Sequence, residues 1–199
     1  VLKENEAKGG YRVLLWDLLR GGEDGGTIYI NQNVKDPILR KLFQDKKFRT
    51  SLSMAINRNE IWKICFLGFG KPRQLSIPSG APLYDPNWEK AYIEYNPAKA
   101  NKLLDEIGLN RRDKDGFRLR PDGKTLAVTI EFPSWIDSTP YELVKGYWEA
   151  IGIKIAIRGI SDELFYTRNS AGETEIGAGY SALSPATWLR PDTLLGIDY

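Results

Sequence analysis

The spacing of apolar positions changes several times along this chain, and each change marks an element. Tyr11 to Leu19 is a strand-like apolar run. The stretch Arg20-Gly21-Gly22-Glu23-Asp24-Gly25-Gly26 breaks it, because glycine adopts turn conformations without steric cost. Thr27 to Asn31 predicts a second strand, and the two together predict a hairpin. Asp36-Pro37 resembles a helix start, with proline at the first helical position. Helical spacing then runs from about Lys46 to Leu67, with Phe48, Leu52, Ala55 and Ile56 on one face. Asn57 and Glu60 form a fresh start signal inside that run, so two consecutive helices or one bent helix are expected. The Gly- and Pro-rich region from Gly68 to Trp88 predicts a long ordered loop.

The second half is more regular. Asn96-Pro97 opens a helix with a Leu103, Leu104 and Ile107 stripe, which Gly108 is placed to end. Asp115-Gly116 and Asp122-Gly123 are turn signals. Leu126, Val128, Ile130 and Phe132 alternate with polar positions, as in a half-buried strand. Thr139-Pro140-Tyr141-Glu142 has the form of a capping box, and it precedes a helix with Leu143, Val144, Tyr147, Trp148 and Ile151 on one face. Ile153, Ile155 and Ile157 alternate again. Strand, capped helix and strand at this spacing predict a βαβ unit with a parallel pair. Ser161 is expected to cap a short helix reaching about Ser170, and Ile176 to Ala182 predicts a final strand. The fold class is therefore α/β, a mixed sheet flanked by helices.

Composition narrows the function classes. The chain has 199 residues, 28 basic and 26 acidic, for a formal charge of +2. The basic residues are scattered, so nucleic acid is not an expected partner. No run of about 18 apolar residues exists to span a membrane. With no histidine and a single cysteine, Cys65, the Ser-His-Asp and Cys-His arrangements and the zinc spacings built on His or paired Cys are excluded. Cys65, between Ile64 and Phe66, is expected to be a buried structural thiol. The segment Arg111 to Asp122 matches a calcium loop at Asp113, Asp115 and Gly116. It fails at Arg111, where a ligand is needed, and at Asp122, too short for the usual glutamate, so a polar hairpin is expected there. Neither a metal nor a cofactor is expected, and no catalysis.

Aromatic residues carry the positive signal. Trp135 lies between the 126–132 strand and the following helix, at the carboxyl end where ligands of α/β sheets bind. Tyr180, in the last strand, and Trp188 beyond it are the other candidates for ligand contact. Large rings on a cleft wall suit sugars or peptide side chains. The same rings could instead fill the core or an interlobe contact. Trp62 and Trp148, both on helix stripes, are expected in the core.

Five segments, in order, resemble family-5 extracellular solute-binding proteins of the oligopeptide- and dipeptide-binding type. They are Phe43 to Ile61, with its Asp45-Lys46-Lys47-Phe48-Arg49 and Ala55-Ile56-Asn57-Arg58; Gly68 to Gln74 with Ile77-Pro78; Tyr95 to Gly108; Asp115-Gly116-Phe117 with Pro121 to Lys124; and Ala150 to Lys154. Their order and spacing match the family from about Thr27 to Ala182. The resemblance implies one lobe, spanning 1–199, of a two-lobed type II periplasmic-binding-protein architecture. The N-terminal partner lobe is then missing, and both ends are expected to be cut from something longer. It further implies a receptor of an ABC importer, periplasmic or lipid-anchored outside the cell, which passes an oligopeptide or oligosaccharide to a membrane permease. Peptide-binding relatives often carry an aspartate near the position of Leu183, which departs from that pattern. The alternatives are a cytoplasmic solute sensor or a carboxylate-dependent hydrolase with only local similarity.

Overall fold

A computed structural model describes residues 2–14, 26–74, 76 and 84–179. In chain order it forms α1 (Glu6–Gly9), β1 (Thr27–Ile30), α2 (Pro37–Gln44), α3 (Lys46–Ala55), α4 (Arg58–Phe66), α5 (Pro86–Lys90), α6 (Pro97–Glu106), β2 (Ala127–Pro133), α7 (Thr139–Ala150), β3 (Lys154–Ile160), α8 (Asp162–Ser170) and β4 (Ile176–Gly179).

Most helix starts follow from their caps. The Asp36 carboxylate accepts from the Ile38 and Leu39 amides, Asp45 from Lys47 and Phe48, and Asn96 from Lys99. These contacts satisfy donors that the first turn leaves without partners. Two helices replace the long 46–67 run. α3 ends at Ala55, and Asn57 caps α4 by accepting from the Glu60 amide while its own amide group donates to the Glu60 carboxylate at 3.1 Å. The expected box at Thr139 does not form. Ser138 is the N-cap of α7 and makes no side-chain cap bond, and Asp137 accepts from the Thr139 amide and hydroxyl at 3.0 and 2.7 Å. A carboxylate two residues upstream meets the need that Thr139 was expected to meet.

The sheet has the order β1-β4-β2-β3. β2 runs parallel to β3 and to β4, and β1 is antiparallel to β4. It is the mixed sheet expected, with the β2-α7-β3 unit parallel along seven residue pairs from Ala127↔Lys154 to Pro133↔Ile160. β1 pairs with β4 rather than in a hairpin with the 11–19 run. Residues 11–14 form no strand, and 15–19 lie outside the described residues, as does the end of the predicted final strand beyond Gly179.

One sheet face, with Val128, Ile130 and Phe132, packs on α7, where the Phe132 and Tyr141 rings lie 4.9 Å apart. Trp148 is buried beneath them and donates its indole N–H to the Leu52 carbonyl at 3.0 Å, tying α7 to α3. α8 covers the other face, with Phe165 near Gly177 and Arg168 on Glu131. Residues 111–125 form the expected polar hairpin, bridged at Arg112↔Arg118 and Leu119↔Thr125. Asp113 holds its turn, accepting from the Asp115 and Phe117 amides and the Thr125 hydroxyl.

Candidate functional site at the carboxyl rim of the sheet

β2 and β3 end together. The Ser134 amide donates to the Ile160 carbonyl at 2.7 Å, so the pairing continues to the end of both strands. Two residues beyond Pro133 stands Trp135, and two beyond its partner Ile160 stands Asp162. Their side chains meet: the Trp135 indole N–H donates to Asp162 Oδ1 at 2.6 Å. Trp135 is 56% exposed, so its ring belongs to the surface and not to the core. Ser161 caps α8 by accepting from the Leu164 amide, and Leu164 in the first turn of that helix is exposed beside this end.

β4 arrives at the same rim. Gly179 has φ +153°, and a Cβ there would stand 3.2 Å from Ile136 Cδ1, so a side chain would push the strand away from the Trp135 loop. The sequence candidates Tyr180 and Trp188 lie outside the described residues.

α4 brings a second group of apolar residues. It lies antiparallel to α7: Tyr147 near the end of α7 donates to Glu60 at the start of α4 at 2.8 Å. Cys65 at the end of α4 senses Asp137 just before α7. This packing sets the exposed Leu67 and Phe69 at the end of the fold that carries Trp135. Leu67 has φ 51°, and the Phe69 carbonyl accepts from the Trp62 indole at 2.9 Å, which fixes the turn. Trp62 is thus half-exposed rather than a core residue, because its polar edge is used to hold that turn. Cys65 is half-buried rather than buried. Burial first, and the Asp137 charge second, push its thiol upward, so it is a poor nucleophile at neutral pH. Burial, reinforced by Glu60, likewise pushes the Tyr147 phenol upward.

Leu67, Phe69 and Leu164 escaped the sequence reading. Gly68-Phe69-Gly70 was visible as the start of a glycine- and proline-rich loop and of a family-like segment, and no local pattern says that α4 ends where β2 does.

The ionisable groups elsewhere are framework. Glu131, 1% exposed in β2, accepts from Arg158 at 3.1 Å and Arg168 at 3.2 Å. Arg58 donates to the Ser53 carbonyl and hydroxyl at 2.7 and 2.8 Å, and burial pushes its guanidinium down to about 10. Among the described residues no group of three or more Cys, Asp or Glu side chains could hold a metal ion, and no helix is long and apolar enough to cross a membrane.

The family model described as "Bacterial extracellular solute-binding proteins, family 5 Middle" matches residues 2–193. The chain belongs to this family. A solved structure of "oligopeptide-binding protein OppA" superposes with a TM-score of 0.84 at 44% identity, covering 94% of this chain and 29% of that one. The "Probable ABC transporter-binding protein" of Deinococcus radiodurans is 33% identical over 98 residues, 45% of this chain and 15% of that protein. The "Oligopeptide-binding protein AppA" of Bacillus subtilis is 31% identical over 104 residues, 52% of this chain and 18% of that protein. The matched part is thus less than a third of the length of each of these relatives.

Proposed function

We propose that this chain is a ligand-contacting lobe of an extracytoplasmic receptor, which encloses an oligopeptide between two lobes and delivers it to the membrane permease of an ABC importer. The observation that carries this reading is the exposed rim of Trp135, Leu164, Leu67 and Phe69, beyond the carboxyl ends of the parallel strands β2 and β3, where α/β folds bind ligands, in a chain of a solute-binding family. Soluble proteins rarely leave large apolar side chains together without a partner to cover them. A second lobe, N-terminal to this one in the same polypeptide, is that partner; the small share of each relative that this chain spans supports it. The peptide class is supported by the names of OppA and AppA. Tyr180, next after Gly179 in the sequence, and Trp188 are the further ligand contacts of this reading. The receptor acts by binding, without catalysis, in the periplasm or anchored by lipid at the cell surface.

Calorimetry on the full-length protein with short peptides and with oligosaccharides tests the reading. Saturable binding of peptides is expected. Each of Trp135→Ala and Tyr180→Ala should weaken it about fivefold, the effect of about 1 kcal/mol per stacked ring, without lowering Tm. Binding of sugars instead would move the ligand class. No binding of either, or substitutions that lower stability and leave affinity unchanged, would overturn the site.

A further inference from the structure

We propose that the turn from Leu67 to Phe69, at the end of α4, is a contact on which the N-terminal lobe of the same polypeptide closes. It sets how readily the receptor shuts, not which ligand it holds. The proposal rests on the receptor reading above and assigns these two rim residues to the other lobe instead of the ligand.

Leu67 is unusual twice over. Its backbone is left-handed, φ 51° and ψ 27°, at the C-terminal cap of α4, where glycine or asparagine is the common residue because a Cβ is strained there. Gly68 and Gly70, at φ 81° and 78°, use glycine for similar backbone angles in the same turn. At 67 the chain keeps a leucine, and that residue is 79% exposed. Tyr92 is the other non-glycine residue with positive φ among those described, and its ring lies under the Lys46 ammonium at 5.7 Å. Leu67 thus carries backbone strain and an exposed apolar side chain at once, and neither stabilises this lobe. Strain retained at such a position points to a role in contact.

The turn is also held stiff. The Phe69 amide donates to the Phe66 carbonyl at 2.8 Å, the Gly68 amide to the Trp62 carbonyl at 3.1 Å, and the Trp62 indole to the Phe69 carbonyl at 2.9 Å. Leu67 and Phe69, the latter 57% exposed, are therefore presented without the ordering cost that a loose loop meets on docking. Neither side chain has a polar group to read the hydrogen-bonding pattern of a solute, so the turn suits a fixed apolar surface. The N-terminal lobe supplies that surface. This chain covers 29% of the OppA structure, so most of that relative lies outside the match, and the turn stands at the end of the fold where the second lobe meets this one.

A contact made only when the lobes are shut stabilises the closed state whatever it encloses. Its removal multiplies every Kd by one factor, whereas removal of a ligand contact changes each Kd differently.

The test compares the full-length wild type with Leu67→Gly, Leu67→Asn and Phe69→Ala. Calorimetry uses alanine pentapeptides that carry glycine, phenylalanine or glutamate at the central position. Glycine and asparagine accept the left-handed backbone, so the Tm of the ligand-free receptor should be unchanged or raised in both Leu67 variants. Both should nevertheless weaken binding about tenfold, as expected for one buried leucine, and by the same factor for all three peptides. Phe69→Ala keeps the carbonyl that Trp62 holds and should act in the same way. Unchanged affinity in both Leu67 variants, or losses that differ by more than about threefold among the peptides, would overturn the closing contact and leave the receptor reading standing. Failure of all three peptides to bind the wild type would overturn both.

Discussion

Arg118 shows how one side chain can organise three segments. It is 1% exposed, yet its guanidinium is fully engaged. It donates to the carbonyls of Ile151 at 2.8 Å and Leu109, to Asn101 Oδ1 at 2.7 Å, and to Asp105 at 2.6 Å. The hairpin, the end of α6 and the end of α7 are thereby locked together, next to Gly152, whose φ of +89° and lack of Cβ admit the Arg112 and Arg118 side chains. Arg118→Ala should lower stability by about 3 kcal/mol, since it strands buried carbonyls. Urea unfolding monitored at Trp148 would measure this. Glu175 is the opposite case. Burial, with the nearby Glu131 charge adding to it, raises its pKa, while the bond from the Thr129 amide at 2.7 Å works against the rise. A carboxyl raised in the folded state contributes stability when protonated and loses it as pH climbs through the folded value. Glu175→Gln, which keeps the acceptor, should therefore be at least as stable as wild type at pH 7. That advantage should shrink as pH falls through the carboxylate range. A variant less stable at pH 7 would show that the charge is needed. Neither role could be read from the sequence, where Arg118 and Glu175 look like solvated surface.

Helices were the legible elements, because their starts are written in local chemistry. Asp36-Pro37, Asn57 and Asn96-Pro97 each cap a helix where expected. The failure at Thr139 is instructive, since Asp137 and Ser138 compete for the same amides and local spacing cannot rank them. Asp36 has a second task, an ion pair with Arg120 at 2.8 Å that fastens α2 to the hairpin. Burial alone would raise its carboxyl, but the Leu39 amide, Arg120 and the Ile38 amide outweigh it, and the net shift is downward. This contribution is present above the ordinary carboxylate range and is lost as pH falls through the lowered folded value. Asp36→Ala should cost about 1–2 kcal/mol at pH 7, from the cap and a partly exposed pair, and less in acid. Asp36→Asn retains the cap and should recover most of it. Thermal unfolding at pH 7 and pH 3 separates the two terms. Among strands, the alternation in β2 and β3 was explicit. The pairing of β1 was not, since nothing in Thr27–Ile30 names its distant partner.

At the scale of the molecule, a rim open on one side predicts that affinity depends on enclosure. On the receptor reading proposed above, this chain alone supplies only part of the contacts and leaves the ligand in water. It should therefore bind the peptide far more weakly than the full-length receptor, by about a hundredfold or more, because drug-sized ligands gain affinity when most of their surface is buried. Equal affinity in calorimetry of the two proteins would mean that the rim is sufficient by itself. Trp135 was legible as a site candidate because a strand end and a helix start bracket it. Leu67 and Phe69 were not, for they reach that end only through the antiparallel packing of α4 on α7, a tertiary fact. Asp162 looked like an ordinary first-turn acid until the strand register set it opposite Trp135.

The place of β4 in the middle of the sheet also sets a timetable for synthesis. β1 is made early, but the β4 ladder lies far downstream, as do the Thr174 carbonyl, 143 residues on, that accepts from the Asn31 side chain and the Glu175 carbonyl that accepts from the Asn31 amide. Until Ile176–Gly179 emerge, β1 lacks the strand it pairs with among the described residues, whereas β2, α7 and β3 can assemble as soon as they are made. Distant pairings of this kind form late, because the closing of long loops comes before any contact rewards it. Pulse-labelled hydrogen exchange during refolding should find the amides of Val128 to Phe132 and Ile155 to Ile157 protected before those of Ile28 to Ile30. Simultaneous protection would instead mean that the sheet closes in one step. Ribosome-bound chains that stop before Ile176 should leave the Thr27–Ile30 segment open to proteases and chaperones, which makes the last strand of the sheet the one that releases the first.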